Sequence, residues 1–228
     1  MDALYFGERT EDTSWCAVCF RDPNRKENLW WSFTKNETTG IYLQGRAYLE
    51  NLGYTILSVT GDGFGGLRTA FSDILLQMCH VHMERIVVKG TTRKPILEAG
   101  QALLALIKTL HYTEENTFKK YFKKYVEKYQ SFLNERTINP LTGEKSLTHE
   151  PLHGAVLSVM RFLPYLFTFE KNKNISRTTN SLEGHFSHIR DIVGVHRGLS
   201  RSHLEKVLNS IFLASTIAPT EEKLKYIL

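Results

Sequence analysis

The sequence predicts an α/β chain in which a mixed sheet is interrupted by an all-helical block. Three observations carry that reading. The first 80 residues hold short aromatic and β-branched runs separated by turn residues, which is the pattern of strands. Beyond Arg85 apolar residues recur at helical spacing over long segments. After a polar stretch at 170–174, helical periodicity resumes over 175–212, so the block is bounded on both sides. The expected organisation is a sheet-bearing first part at 1–92, a helical insertion at 93–174, and C-terminal helices at 175–228 that complete the first part.

Residues 2–34 are expected to form a three-stranded antiparallel meander. Residues 15–20 and 29–33 are aromatic-rich, and Asp22-Pro23-Asn24 supplies a turn, which makes Asp12 and Asp22 loop or turn residues. Over 39–52, Ile41, Tyr42, Leu43, Ala47, Tyr48 and Leu52 recur at roughly helical spacing, and Gly53 provides the stop. Ile56, Leu57 and Val59 then make a short strand that Gly61, Gly63, Gly65 and Gly66 end. Asp62 therefore stands where a buried strand turns, and strand ends in α/β sheets are where sites form. Residues 67–71 read as a short helix and 74–78 as the next strand, an order that implies a parallel pair.

In the helical block, 96–110 reads as one apolar helix. The strongest amphipathic signal is 117–133, with Phe118, Tyr121, Phe122, Tyr125, Val126, Tyr129, Phe132 and Leu133 on one side. Lys119, Lys120, Lys123, Lys124 and Lys128 occupy the others, as on a solvated face. Residues 139–143 form a turn, and 152–167 a helix broken at Pro164.

Composition is that of an ordinary globular protein, 42% hydrophobic and 23% charged over 228 residues. No apolar run approaches the ~18 residues that span a bilayer, and Met1-Asp2 does not open a secretory signal, so the expected setting is cytoplasmic and without a membrane. A net charge of +5 suits a polyanionic partner without requiring one. Three cysteines, an odd count, fit reduced thiols. Cys16, Cys19, Cys79 and His82 could form a zinc set by type. Residues three apart on a strand point to opposite faces, however, so Cys16 and Cys19 are not expected to converge.

Asp-Gly is a common turn dipeptide, and by itself Asp62 is as readily a turn residue as an acid of a site. The run Thr60-Gly61-Asp62-Gly63-Phe64-Gly65-Gly66-Leu67, followed by Cys79-x-x-His82-x-x-Arg85, resembles the Mutator-type insertion-sequence transposases. Arg177-Thr178-Thr179-Asn180-x-x-Glu183 and His196-Arg197-Gly198-Leu199-Ser200 resemble that family too, as does Asp2 in Asp2-Ala3-Leu4-Tyr5-Phe6. From its residues alone, Asn180-x-x-Glu183 also has nearly the form of a capping box with Asn180 as N-cap.

The resemblance implies a ribonuclease-H-like mixed sheet with the helical insertion lying before the last catalytic helix. It implies a DDE-type transposase of bacterial origin, cytoplasmic and associated with the nucleoid when acting, with Asp2, Asp62 and Glu183 as catalytic acids and metal ligands. Cys79, His82 and Arg85 would support them. Phosphodiester cleavage and strand transfer need an activated oxygen nucleophile and a stabilised leaving oxygen, which two Mg²⁺ (or Mn²⁺) ions about 4 Å apart can supply. The expected partner is DNA, both transposon ends and target, bound by a homodimer or higher oligomer. Arg177, Asn180, Arg190, Arg197 and Arg201, with Arg85, are the expected DNA contacts. Since Asp2 has only Met1 ahead of it, an N-terminally truncated form is expected. Two other classes stay open: a noncatalytic DNA-binding or zinc-binding module, and a catalytically silent transposase remnant.

Overall fold

The computed structural model describes residues 1–7, 14–195 and 198–216. The chain divides into two compact units, one made of Met1–Leu76 with Thr178–Leu228 and the other of Gln77–Arg177.

The first unit opens with the expected meander, β1 (Asp2–Phe6), β2 (Trp15–Asp22) and β3 (Glu27–Thr34), paired antiparallel in the order β1-β2-β3. Asp22 closes the β2–β3 turn, its Oδ1 accepting the N–H of Asn24 at 2.8 Å and of Arg25 at 3.2 Å. Asp12 lies outside the described residues. Residues 15–20 of β2 are all buried, so the strand is covered on both faces and reads as a continuous apolar run. On one face Leu4, Trp15, Ala17 and Cys19 pack with Leu182, Phe186 and Ile189 of α7 (Asn180–Val195) and Leu208 and Phe212 of α8 (Arg201–Ala214). On the other, Phe20 meets Trp30, Tyr42 and Phe71. Tyr42 belongs to α1 (Thr39–Asn51), whose first turn is capped by the Thr38 hydroxyl.

The next strand is β4 (Ser58–Gly61), two residues later than the hydrophobic run suggested, and Leu57 is 68% exposed. Only Val59 and Gly61 of β4 face inward, because the pairing partner rather than local hydrophobicity decides the register. α2 (Gly65–Ala70) leads to β5 (Leu75–Met78), which pairs with β4. The amino group of Met1 donates to the carbonyl of Thr60 at 2.8 Å, so the start of β1 lies beside the end of β4. At the far end of the unit, α8 is tied to β3: Asn28 N–H donates to Ser215 O at 2.9 Å and Trp31 Nε1 to Asn209 Oδ1 at 2.8 Å.

The second unit holds α3 (His80–Thr91), α4 (Glu98–Lys108), α5 (Glu115–Leu133), the hairpin β6 (Arg136–Ile138) and β7 (Lys145–Leu147), and α6 (Glu150–Phe162). The division falls at 76/77 rather than at residue 92, because Met83 and Val87 of α3 bury into the same core as Leu103, Ile107, Phe118, Phe122 and Val159. Tyr121 departs from the expected aromatic side and is 54% exposed. The segment Glu150–Lys171 is long and apolar enough to cross a membrane by length and composition, contrary to the expectation that no run approaches that limit. It breaks near Pro164 into 3₁₀ turns, and Leu152, Val156, Val159 and Leu166 fill the core of this unit, which is how a buried helix of a globular domain behaves.

Candidate active site

Asp2 is the first residue of β1 and pairs with Cys19; its Oδ1 accepts the N–H of Ala3 at 2.8 Å. Asp62 directly follows β4, and its Oδ1 accepts the N–H of Phe64 at 2.9 Å, an Asx-turn in which Gly63 takes the left-handed φ of 87°. Asp62 is thus the turn residue that its dipeptide suggests, and the turn engages one oxygen of the carboxylate. Both acids are half-buried. The Met1–Thr60 bond sets the two strand termini that carry them side by side.

A third acid stands with them that sequence reasoning missed. Glu37, half-buried between β3 and α1, accepts hydrogen bonds from the hydroxyls of Tyr5, at 3.1 Å, and Tyr42. Burial raises its carboxyl above the ordinary range, the negative charges of Asp62 and Asp2 add to the rise, and the two tyrosine hydrogen bonds oppose it. The buried phenol of Tyr42 is likewise pushed up by burial, then by Glu37, then by Asp62 and Asp2. Asp2, Glu37 and Asp62 therefore share one region of negative field. In sequence Glu37 reads only as an acid near a helix start, and its tyrosine partner Tyr5 is 32 positions away.

Glu183 lies in the first turn of α7. The expected capping register moves by one residue. The helix begins at Asn180, the carbonyl of Thr179 receives the N–H groups of Leu182 and Glu183 at 2.9 Å each, and the Thr179 hydroxyl donates to Glu183 Oε1 at 3.2 Å. Thr179 is buried, which fixes this register. The turn is anchored to the sheet because Arg21 Nε donates to Ser181 Oγ at 3.2 Å, and Arg21 stands two residues past Cys19, the partner of Asp2. Leu182 shares a core cluster with Leu4 and Cys19. The start of α7, which carries Glu183, is thus tied to the sheet formed by β1, β2 and β3. Nearby, His185 contacts Asn28 Nδ2 at 3.0 Å, and burial, with the charge of Arg21, lowers its pKa to about 4.

Cys16 and Cys19 lie on opposite faces of β2, as strand geometry requires. Cys19 packs against α7 and α8 with its Sγ 3.7 Å from Asn28 Oδ1, while Cys16 sits by Tyr5 and Glu37 with its thiol pushed up to about 11, first by burial and then by Glu37. The two thiols cannot share a zinc ion, so the four-ligand zinc set does not form.

The remaining candidates distribute as follows. Cys79 is buried at the N-cap of α3, His82 is half-buried one turn on, and Arg85 is exposed on the same helix in the second unit. Their neighbour His80 is fully buried with Nε2 2.7 Å from Leu166 O, and burial lowers its pKa to about 4. Arg177 stacks over Phe169 at 4.2 Å and donates to His111 O at 2.8 Å, so it holds structure within the second unit. Arg201, at the start of α8, pairs with Glu205 at 2.8 Å and lies over Trp15 at 5.1 Å. Asn180 and Arg190 are exposed on α7, and Arg197 lies outside the described residues.

No protein-family model matches the chain and no curated protein matches its sequence. The donor chemistry of Asp2 and Asp62 suits a hard divalent cation: both offer carboxylate oxygens, half-buried, in a region whose excess negative charge already perturbs Glu37 and Tyr42. Glu183 offers the same ligand type from the first turn of α7.

Proposed function

We propose that the chain is the catalytic core of a DDE-type DNA transposase of the Mutator kind, which cleaves and transfers DNA strands of an insertion sequence. The observation that carries the reading is the adjacency of the strand ends that bear Asp2 and Asp62, with Glu183 at the start of a helix packed on β1 and β2. The strand arrangement is compatible with a ribonuclease-H-like core: β1-β2-β3 pair antiparallel, β4 pairs with β5 in a second sheet, and the Met1–Thr60 bond holds the start of β1 beside the end of β4.

Asp2, Asp62 and Glu183 would hold two Mg²⁺ or Mn²⁺ ions, which when bound supply activation of the attacking oxygen and stabilisation of the leaving oxygen. The chain's own residues do the positioning. The Ala3 and Phe64 amides fix the carboxylates of Asp2 and Asp62, and the Thr179 hydroxyl orients Glu183. Glu37, clamped by two tyrosines, deepens the negative field that draws cations in. Asn180 and Arg190, exposed on the helix that carries Glu183, are suited to phosphate oxygens of transposon-end or target DNA. The active species would be a homodimer or higher oligomer on DNA, in the bacterial cytoplasm.

Asp62→Asn tests the reading. The amide keeps an oxygen for the Phe64 N–H and the turn survives, whereas an anionic ligand is lost. Calorimetric Mn²⁺ titration and transfer of a 3′-hydroxyl oligonucleotide should both fail in the variant, with thermal unfolding unchanged. Equal strand transfer by variant and parent, or a parent that binds no divalent ion, would refute it.

A further inference from the structure

We infer that the outer face of α5, centred on Lys120, Tyr121 and Lys124, is a landing surface for the phosphodiester backbone of duplex DNA. The inference rests on the transposase reading and extends it to the second unit.

The helix buries Phe118, Phe122, Tyr125, Tyr129 and Leu133, and turns five lysines outward. Three of these have carboxylate partners: Lys119 with Glu115 at 2.5 Å, Lys123 with Glu127 at 3.8 Å, and Lys128 with Glu98 at 2.7 Å. Lys120 and Lys124 have none among the described residues, and both are exposed. They also stand four apart, an arrangement in which like charges destabilise a helix by about 0.2–0.5 kcal/mol, so the positive column is kept against local helix stability. Asn116, four residues before Lys120, brings no charge to offset it.

Tyr121 adds an independent sign. At 54% exposed it breaks the otherwise buried aromatic pattern of the helix, and its ring lies 5.7 Å from Lys124 Nζ. A flat aromatic with a hydroxyl beside an ammonium group matches a sugar-phosphate strand, where hydroxyls and lysines both contact phosphate. Charge complementarity with a polyanion therefore selects the occupant.

The test is duplex affinity as a function of NaCl for the parent chain, the Lys120→Gln/Lys124→Gln double variant, and a Lys123→Gln control whose lysine is already paired. Two lost phosphate contacts should make the slope of log affinity against log salt shallower by roughly 1.8, at about 0.9 per contact, and the control should keep the parent slope. A double variant with the parent slope would overturn this inference and leave the transposase reading standing. A parent that binds no duplex at low salt would overturn both.

Discussion

Removing a single oxygen at Tyr42 should make the stability of the first unit more sensitive to pH. In Tyr42→Phe the ring keeps its contacts with Phe20 and Phe64, so the change is confined to the hydroxyl that donates to Glu37. A hydrogen bond to a charged group contributes about 1.5–3 kcal/mol, and a neutral one about 0.5–1.5. At pH 7–8 the expected loss is therefore about 2 kcal/mol, nearly thirtyfold in the unfolding equilibrium, because the Tyr5 bond remains. Near pH 4 the loss should shrink to about 1 kcal/mol. The direction follows from the raised carboxyl of Glu37: the stability linked to it is present in full below the ordinary carboxylate pKa and is lost as pH rises through the folded value. Without the Tyr42 hydroxyl that folded value rises further, and the loss on the alkaline side deepens. Urea unfolding followed by tryptophan fluorescence at several pH values measures both quantities. A parent-variant difference that is constant with pH, or below about 0.5 kcal/mol throughout, would refute the argument.

Two further outcomes follow from packing and from a buried base. Gly45→Ala would place a Cβ 2.6 Å from the rings of Phe20 and Trp30, so thermal unfolding should show overpacking of about 1–3 kcal/mol, and an unchanged midpoint would contradict the packing described. His80, whose folded pKa is about 4, should contribute stability that is present above the unfolded value near 6.5 and lost as pH falls between the two, roughly 3 kcal/mol in all. His80→Gln, which can still donate to Leu166 O, should flatten that part of the pH-stability curve, and a curve identical to the parent's would show that His80 does not set it.

The meander was legible because residues 15–20 of β2 are apolar and Asp22-Pro23-Asn24 is strong turn chemistry, so local signals and tertiary pairing agree. Agreement fails where partners decide. Ile56 and Leu57 look like strand, yet pairing begins at Ser58 and leaves Leu57 in water. Met83 and Val87 stand at helical spacing, but the polar residues around them concealed that α3 belongs to the helical core. The β6–β7 hairpin was invisible because its side chains are mostly exposed and Ile138 is 61% so, leaving no alternation to read. For the site, the Asp62 turn and the start of α7 could be read within one residue. The clamp on Glu37 could not, since it joins side chains from β1, a loop and α1 that no local pattern links.

The bond from His80 N–H to Arg177 O, 3.0 Å long, joins positions 97 apart (177 − 80) and returns the chain to the place where the second unit begins. This changes the order in which the molecule can be assembled. Tethered by a flexible loop of about 100 residues, α7 and α8 would meet the sheet against a closure entropy of about 4 kcal/mol. Once the second unit has folded, the effective tether is only a few residues long, and most of that entropy has already been lost. The helical insertion thus serves as a clasp: it contains none of Asp2, Asp62 and Glu183, yet once folded it shortens the tether between the two stretches of chain that make up the first unit.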